Sequence, residues 1–281
     1  MEKLNNVIKY DISRTEEMFH TYYHPAKFSD YDKVYFETNE FCDKIISQFD
    51  VSGKSVLTVL GSGDQAFQFY KNGAKNVDLF DINKLAIYYY YLRIWNIKTF
   101  GTIYPEWCFD NEFIKKLLKS IKPKSRGEAM AYKYWSKFID KFDSDLLKRF
   151  FYTPYKDRYI YNSSDLNLLL DGINDNVNFF NTDISSVIHI PNKYDFIYTS
   201  NLSDYISNER IALYRNNLFG HLNDGGIVLC SNVGSRGPNS HQKRIMKRCF
   251  KYNDINVLNS DNLEDDKIGY CYTRRKIKRL F

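Results

Sequence analysis

The residues most able to do chemistry sit between positions 61 and 81. Gly61-Ser62-Gly63-Asp64-Gln65-Ala66 follows directly on the continuous apolar and β-branched run 56–60. Glycine lacks a Cβ, so a turn built on Gly61 and Gly63 lets backbone N–H groups come close to a ligand. Asp81 stands 18 residues beyond Gly63, at the end of a second short apolar stretch. A carboxylate at that distance is placed to accept both hydroxyls of a ribose. Each feature alone has a plainer reading: the turn as an ordinary strand-to-helix connection, and Asp81 or Asn83 as the N-cap of a helix from Lys84 onward. Together they favour a nucleoside site.

Asp64 bears on which nucleoside. A diphosphate seeks the bare, positive start of the following helix, and an aspartate there opposes it. A sulfonium nucleoside with an ammonium group and no phosphate is compatible with an acid at that point. Further along, Asp183 closes the stretch Asn178-Phe-Phe-Asn-Thr-Asp183, and Asn201, Ser203, Asp204 and Tyr205 follow the apolar stretch 194–199. Ligand crevices of open α/β sheets lie at such strand ends, although Asp183, Ser203 and Asp204 also suit helix caps. His20 is a candidate base ahead of the fold.

The elements that must hold these residues alternate. Residues 56–60 read as a strand buried on both faces, residues 65–70 as the start of a helix, and residues 76–80 as a second strand. Residues 84–97 read as a helix with aromatics all round. No core strand is expected over 98–176; helices are expected at 110–121, 127–142 and 144–151, punctuated by Pro105, Pro123 and Pro154. Strands follow at 178–183, 194–199 and 227–231, the last after a tight turn at 224–226. Helices are expected at 208–222 and 241–250, and closing strands at 254–258 and 269–273. Before all of this, residues 15–23 read as a helix capped by Thr15, and 31–49 as an amphipathic helix. The expected architecture is α/β, a Rossmann-like and mainly parallel sheet with helices on both faces. An N-terminal helical cap (1–53) precedes a cofactor-binding domain (54–281), which carries a helical insertion at about 98–176.

The segments VLTVLGSGDQAF, VDLFDIN, NFFNTDI and YDFIYTSNLSDYI resemble the class I S-adenosylmethionine-dependent methyltransferases. The SGD-x-A pattern with D-I-N is most similar to the branch that includes the betaine-lipid-forming 3-amino-3-carboxypropyl transferases. The resemblance covers about residues 54–97 and 177–232. It implies S-adenosyl-L-methionine as cofactor. By position it implies that Gly61, Ser62, Gly63 and Asp64 surround the methionine part, that Asp81 holds the ribose, and that Ile82 lies against adenine. Asp183 would then accept from the adenine amino group with Ile184 beside it, and Asn201 would face the reacting centre. Ala66 stands where dinucleotide loops have glycine, and no Asn-Pro-Pro-Tyr follows the fourth strand.

The expected function is therefore an S-adenosylmethionine-dependent transferase, foremost a methyltransferase, acting by alignment and exclusion of water. Asn201 would face the transferred group, and Asp204 or His20 would take the acceptor's proton. Transfer of the 3-amino-3-carboxypropyl group from the same cofactor is the alternative within that class. An NAD-dependent oxidoreductase and a non-catalytic RNA-binding module are the others. The acceptor, whether small molecule, lipid or nucleic acid, stays open, as does the oligomeric state.

Composition sets the frame. A chain of 281 residues with 43% apolar and 26% charged content packs a globular core. The net charge of +6 favours an anionic partner only mildly. Residues 111–160 hold 13 Lys and Arg against 6 Asp and Glu, with Tyr132, Tyr134 and Trp135 interleaved in a pattern suited to base stacking. Five scattered cysteines argue against a zinc site and against a disulfide framework. No metal and no membrane span is expected, and a cytoplasmic location is the default.

Overall fold

A computed structural model describes the chain except for residues 1, 21–28, 39, 41, 103–109, 153–162, 174–176, 186–189, 203–204, 232–255, 259–270 and 276–281. In chain order its elements begin with α1 (Glu2–His20), β1 (Val34–Tyr35), α2 (Cys42–Ile46), β2 (Ser55–Val59), α3 (Asp64–Lys71) and β3 (Asn76–Asp81). Then come α4 (Leu85–Phe100), α5 (Asn111–Ser120), α6 (Arg126–Lys141), α7 (Ser144–Phe150), β4 (Phe151–Tyr152) and α8 (Ser163–Gly172). The last are β5 (Phe179–Asn181), β6 (Tyr194–Tyr198), α9 (Ile211–Gly220), β7 (Leu222–Ser231), β8 (Asn256–Leu258) and β9 (Cys271–Arg275). Two compact units divide the chain: residues 1–37, 60–64 and 82–176 form one, and 38–59, 65–81 and 177–281 the other.

The second unit contains a seven-stranded sheet in the order β5-β3-β2-β6-β7-β9-β8. Pairing is parallel from β5 to β7, while β9 runs antiparallel to both β7 and β8. This is the Rossmann-like, mainly parallel architecture expected from the alternation. Strand β2 lies at the centre of the five parallel strands, and Val56, Leu57, Thr58 and Val59 are all buried, so both its faces need cover. On one face Leu57 and Ile197 join a cluster with Tyr214 and Leu218 of α9. On the other, Phe69 of α3 meets Phe196 and Tyr198 edge-on, with centroids 5.5 and 6.1 Å apart. Helices thus cover both faces.

The tight turn expected at 224–226 is instead part of β7. Gly225 takes φ +79° there, and the pairing with β6 shifts register between Tyr194 and Phe196, which is a bulge. A Cβ on Gly226 would lie 3.0 Å from the Asp195 carbonyl oxygen, so glycine is what lets the strands close. The amphipathic helix expected over 31–49 does not form either; only α2 is helical. Thr38 explains part of this. Its hydroxyl accepts from the Glu40 N–H (3.2 Å) and from the Gln65 side-chain amide (3.1 Å), a local bond that competes with helix. The expected closing strands form, with β8 antiparallel to β9; the helix expected at 241–250 lies outside the described residues.

The first unit is helical. Strand β1 pairs only with β4 there. Helix α4 is buried all round from Leu85 to Ile97, and α5, α6, α8 and β1 pack against it. Helix α1 packs on α6 and α7 through Ile8, Ile12, Thr15, Met18 and Phe19, a helical stripe. Thr15 is therefore an interior residue and not the expected N-cap; its hydroxyl donates back to the Asp11 carbonyl (2.8 Å) and meets the Tyr134 hydroxyl (2.9 Å). Asp11, wholly buried, accepts from Tyr31 and Tyr88 hydroxyls (2.5 Å each) and from Lys84 Nζ (2.7 Å). Burial, then the Asp11 carboxylate, pushes the Tyr88 hydroxyl far above its usual range. Burial does the same to Tyr134, which stacks on Tyr88 at 4.3 Å.

Candidate functional site

The glycine turn leaves β2 through Leu60. Gly61 and Gly63 both take left-handed backbone angles, φ +51° and +94°, which a side chain would strain. The Gly63 N–H closes the turn on the Leu60 carbonyl at 2.6 Å. Beneath it lies a buried polar brace. Ser62 Oγ donates to Asp64 Oδ2 (2.7 Å), while Arg93 of α4 donates to Asp64 Oδ1 and to the Ser62 carbonyl (2.8 Å each). Ser62, Asp64 and Arg93 are each at most 2% exposed. The Arg93 guanidinium also lies 5.7 Å from the Tyr89 ring centroid, and Tyr89 donates to the Phe36 carbonyl. The sequence reading missed Arg93. Its only signal was a lone cation inside the aromatic run 87–97. The pairing alters the meaning of Asp64, since a carboxylate neutralised by a guanidinium no longer repels a diphosphate.

Asp81 ends β3 with its side chain half-buried. Its carbonyl accepts from the Thr182 N–H (3.0 Å) and from Asn181 Nδ2 (3.1 Å), which ties the strand end to β5. Asp183 follows β5. Its Oδ1 takes the Ser185 N–H (2.8 Å) and Ser185 Oγ (2.7 Å), and its Oδ2 takes Arg210 (2.5 Å) in a largely exposed ion pair. That is turn-capping geometry. Ile184 is 2% exposed within the apolar cluster beneath α9, and its carbonyl accepts from Asn217. Asn201 is half-buried just beyond β6, next to Ser200, a non-glycine residue at φ +54°. Ile82 is half-buried at the entry to α4.

A second residue unread in the sequence lies in the sheet unit. Glu40 is 3% exposed and accepts from Tyr198 Oη (2.6 Å), Ser200 Oγ (2.6 Å) and Ser231 Oγ. These hydroxyls stand at the carboxyl ends of β6 and β7. The Thr38 bonds described above hold the Glu40 loop to α3.

Asp204 lies outside the described residues. His20 is exposed at the last residue of α1. In the basic stretch, Tyr134 and Trp135 are wholly buried; Trp135 donates to the Tyr88 carbonyl (2.7 Å). They belong to the helical core and are not a stacking surface. Among the described residues no group of three or more His, Cys, Asp or Glu is arranged to hold a metal ion, and no helix is long and apolar enough to cross a membrane.

No protein-family model matches this sequence, and no curated protein does. Solved structures show a distant likeness to it. N-methyltransferase NodS from Bradyrhizobium japonicum WM9 is 9% identical with a TM-score of 0.43, over 84% of this chain and 94% of that one. Magnesium protoporphyrin IX methyltransferase from Synechocystis PCC 6803, solved with bound SAM, is 10% identical with a TM-score of 0.43, over 84% and 76%. An S-adenosylmethionine-dependent methyltransferase from Clostridium acetobutylicum ATCC 824 is 11% identical with a TM-score of 0.45, over 86% and 93%. Likeness at that level says nothing of an acceptor.

Proposed function

We propose that the chain is an S-adenosyl-L-methionine-dependent transferase, foremost a methyltransferase. One observation carries the reading. In a sheet ordered β5-β3-β2-β6-β7, the central strand β2 runs into a turn with two left-handed glycines, and its neighbour β3 ends on Asp81. The sheet order reverses between β2 and β6, and ligands of open α/β sheets sit beyond the carboxyl ends of the strands at such a point. A dinucleotide-binding sheet continues into a sixth parallel strand. Here β7 is followed in the sheet by the antiparallel β9, which disfavours the NAD alternative. The RNA-binding alternative loses its proposed stacking surface with the burial of Tyr134 and Trp135.

The turn is compatible with the cofactor in that Gly61 and Gly63 hold left-handed angles that let backbone approach a ligand closely, while the Gly63 N–H itself closes the turn on the Leu60 carbonyl. Gly61, Ser62 and Gly63 present backbone to the methionine part, and Arg93 and Asp64 keep that backbone fixed. Asp81 accepts the ribose hydroxyls and Ile82 lies against the adenine. Asp183 receives the adenine amino group in exchange for its contact with Arg210, with Ile184 packed behind it. Asn201 orients the acceptor, and Asp204 or His20 takes the acceptor's proton. Bound there, the sulfonium supplies an activated carbon for displacement. The protein's share is alignment and exclusion of water.

The SGD-x-A and D-I-N motifs favour transfer of the 3-amino-3-carboxypropyl group as the second reading. The nucleoside product separates the two. Purified protein is incubated with S-adenosylmethionine and with small-molecule, lipid and RNA fractions in turn. Methyl transfer releases S-adenosylhomocysteine; aminocarboxypropyl transfer releases 5′-methylthioadenosine. Release of neither from any fraction counts against a transferase.

A further inference from the structure

Burying a charge is costly unless a counter-charge or other compensation accompanies it. Among the described residues, the wholly or nearly buried carboxylates Asp11 and Asp64 are compensated by Lys84 and Arg93. Glu40, 3% exposed, accepts from three hydroxyls, and Asp78, 6% exposed, likewise accepts from neutral donors, Asn178, Asn192 and Tyr194; Glu40 differs in standing at the carboxyl ends of β6 and β7. Three hydroxyls converging on two oxygens is the pattern an ionised carboxylate accepts.

Its location gives the charge a use. Tyr198 ends β6, Ser231 ends β7, and Ser200 follows β6 in the left-handed backbone region that a non-glycine residue adopts only under constraint. These are carboxyl ends of adjacent parallel strands, where ligands of such sheets bind. Asn201 is the next residue. Fixed negative charge and backbone strain thus coincide at one spot, held in place through Thr38 and Gln65.

We propose that Glu40 is the charge-selecting residue of the site: its carboxylate biases the ends of β6 and β7 toward a cationic ligand, the sulfonium form of the cofactor over its neutral thioether product. This rests on the cofactor reading above. When the sulfur–carbon bond breaks, its electron pair stays on sulfur and the positive charge there is lost. Glu40 then attracts the spent nucleoside less than the fresh one, which favours exchange.

The test is the ratio of two affinities. The unsubstituted chain, Glu40→Gln, Glu40→Ala and Glu40→Asp are titrated calorimetrically with S-adenosylmethionine and S-adenosylhomocysteine. The ratio of thioether to sulfonium dissociation constants is expected to fall about tenfold in Glu40→Gln, the effect of one charge several ångströms away in a partly screened interior. Glu40→Ala carries the same expectation should the glutamine amide not be accommodated among the hydroxyls. Glu40→Asp retains the charge and keeps the ratio even if both affinities drop. An unchanged ratio in the neutral variants, or an aspartate variant that behaves like them, overturns the proposal. Absence of binding by the unsubstituted chain overturns the cofactor reading and the selectivity with it.

Discussion

Arg93 and Asp64 show how one buried pair can hold a glycine turn. Removing the guanidinium takes the counter-charge from Asp64 at 1% exposure, so Arg93→Leu should cost about 3–5 kcal/mol in urea denaturation. Arg93→Lys should cost less but still weaken nucleoside binding, since an ammonium cannot hold Asp64 and the Ser62 carbonyl in one planar fork. Gly63→Ala should lose about 1–2 kcal/mol from its left-handed angle alone, together with a fall in cofactor affinity. In the sequence, the turn at Gly61 and Gly63 and the strand end at Asp81 were legible because both depend on local spacing. Arg93 and Glu40 were not, because their roles come from partners 29 and 160 residues away. Asp64 was read in part: its acidity was visible, while the cation that neutralises it was not.

Helix α1 is fastened to α4 and its entry by Asp11, and that contact can be cut. Asp11→Ala should destabilise the fold by about 2–4 kcal/mol, because Tyr31, Tyr88 and Lys84 lose a shared acceptor. Hydrogen exchange should rise first in α1. Tyr88 and Tyr134 add a dependence on pH. Both are held protonated in the folded chain well above the usual tyrosine range. Their stabilisation is full below the unfolded value of about 10 and is lost as pH climbs above it, at up to about 1.4 kcal/mol per pH unit for each. Denaturation midpoints should be flat from pH 7 to 9 and fall above 10. A flat profile through pH 11 would contradict the burial of these hydroxyls. The helices at 110–121, 127–142 and 144–151 were legible from apolar spacing and caps, as the Ser125–Glu128 capping box of α6 illustrates. Residues 31–49 were misread because their aromatics fall at helical intervals by coincidence. Phe36 stacks on Tyr89, and Thr38 bonds the following backbone instead of continuing a helix.

The mainly parallel order of the sheet follows from alternation, and the strand assignments that produce it were readable from short apolar runs between turns. Polar acceptor-binding residues have no such periodic constraint, which is why the acceptor cannot be read the same way. The claim on which everything else depends is that this sheet holds a phosphate-free adenosine cofactor. Calorimetric titration of the purified chain with S-adenosylmethionine, S-adenosylhomocysteine and NAD, with Asp81→Ala as control, tests it directly. The account predicts saturable binding of both sulfur nucleosides, weakened at least about tenfold by Asp81→Ala through loss of the ribose acceptor, and no comparable binding of NAD. Tight NAD binding without an S-adenosylhomocysteine signal, or binding indifferent to Asp81→Ala, would contradict it.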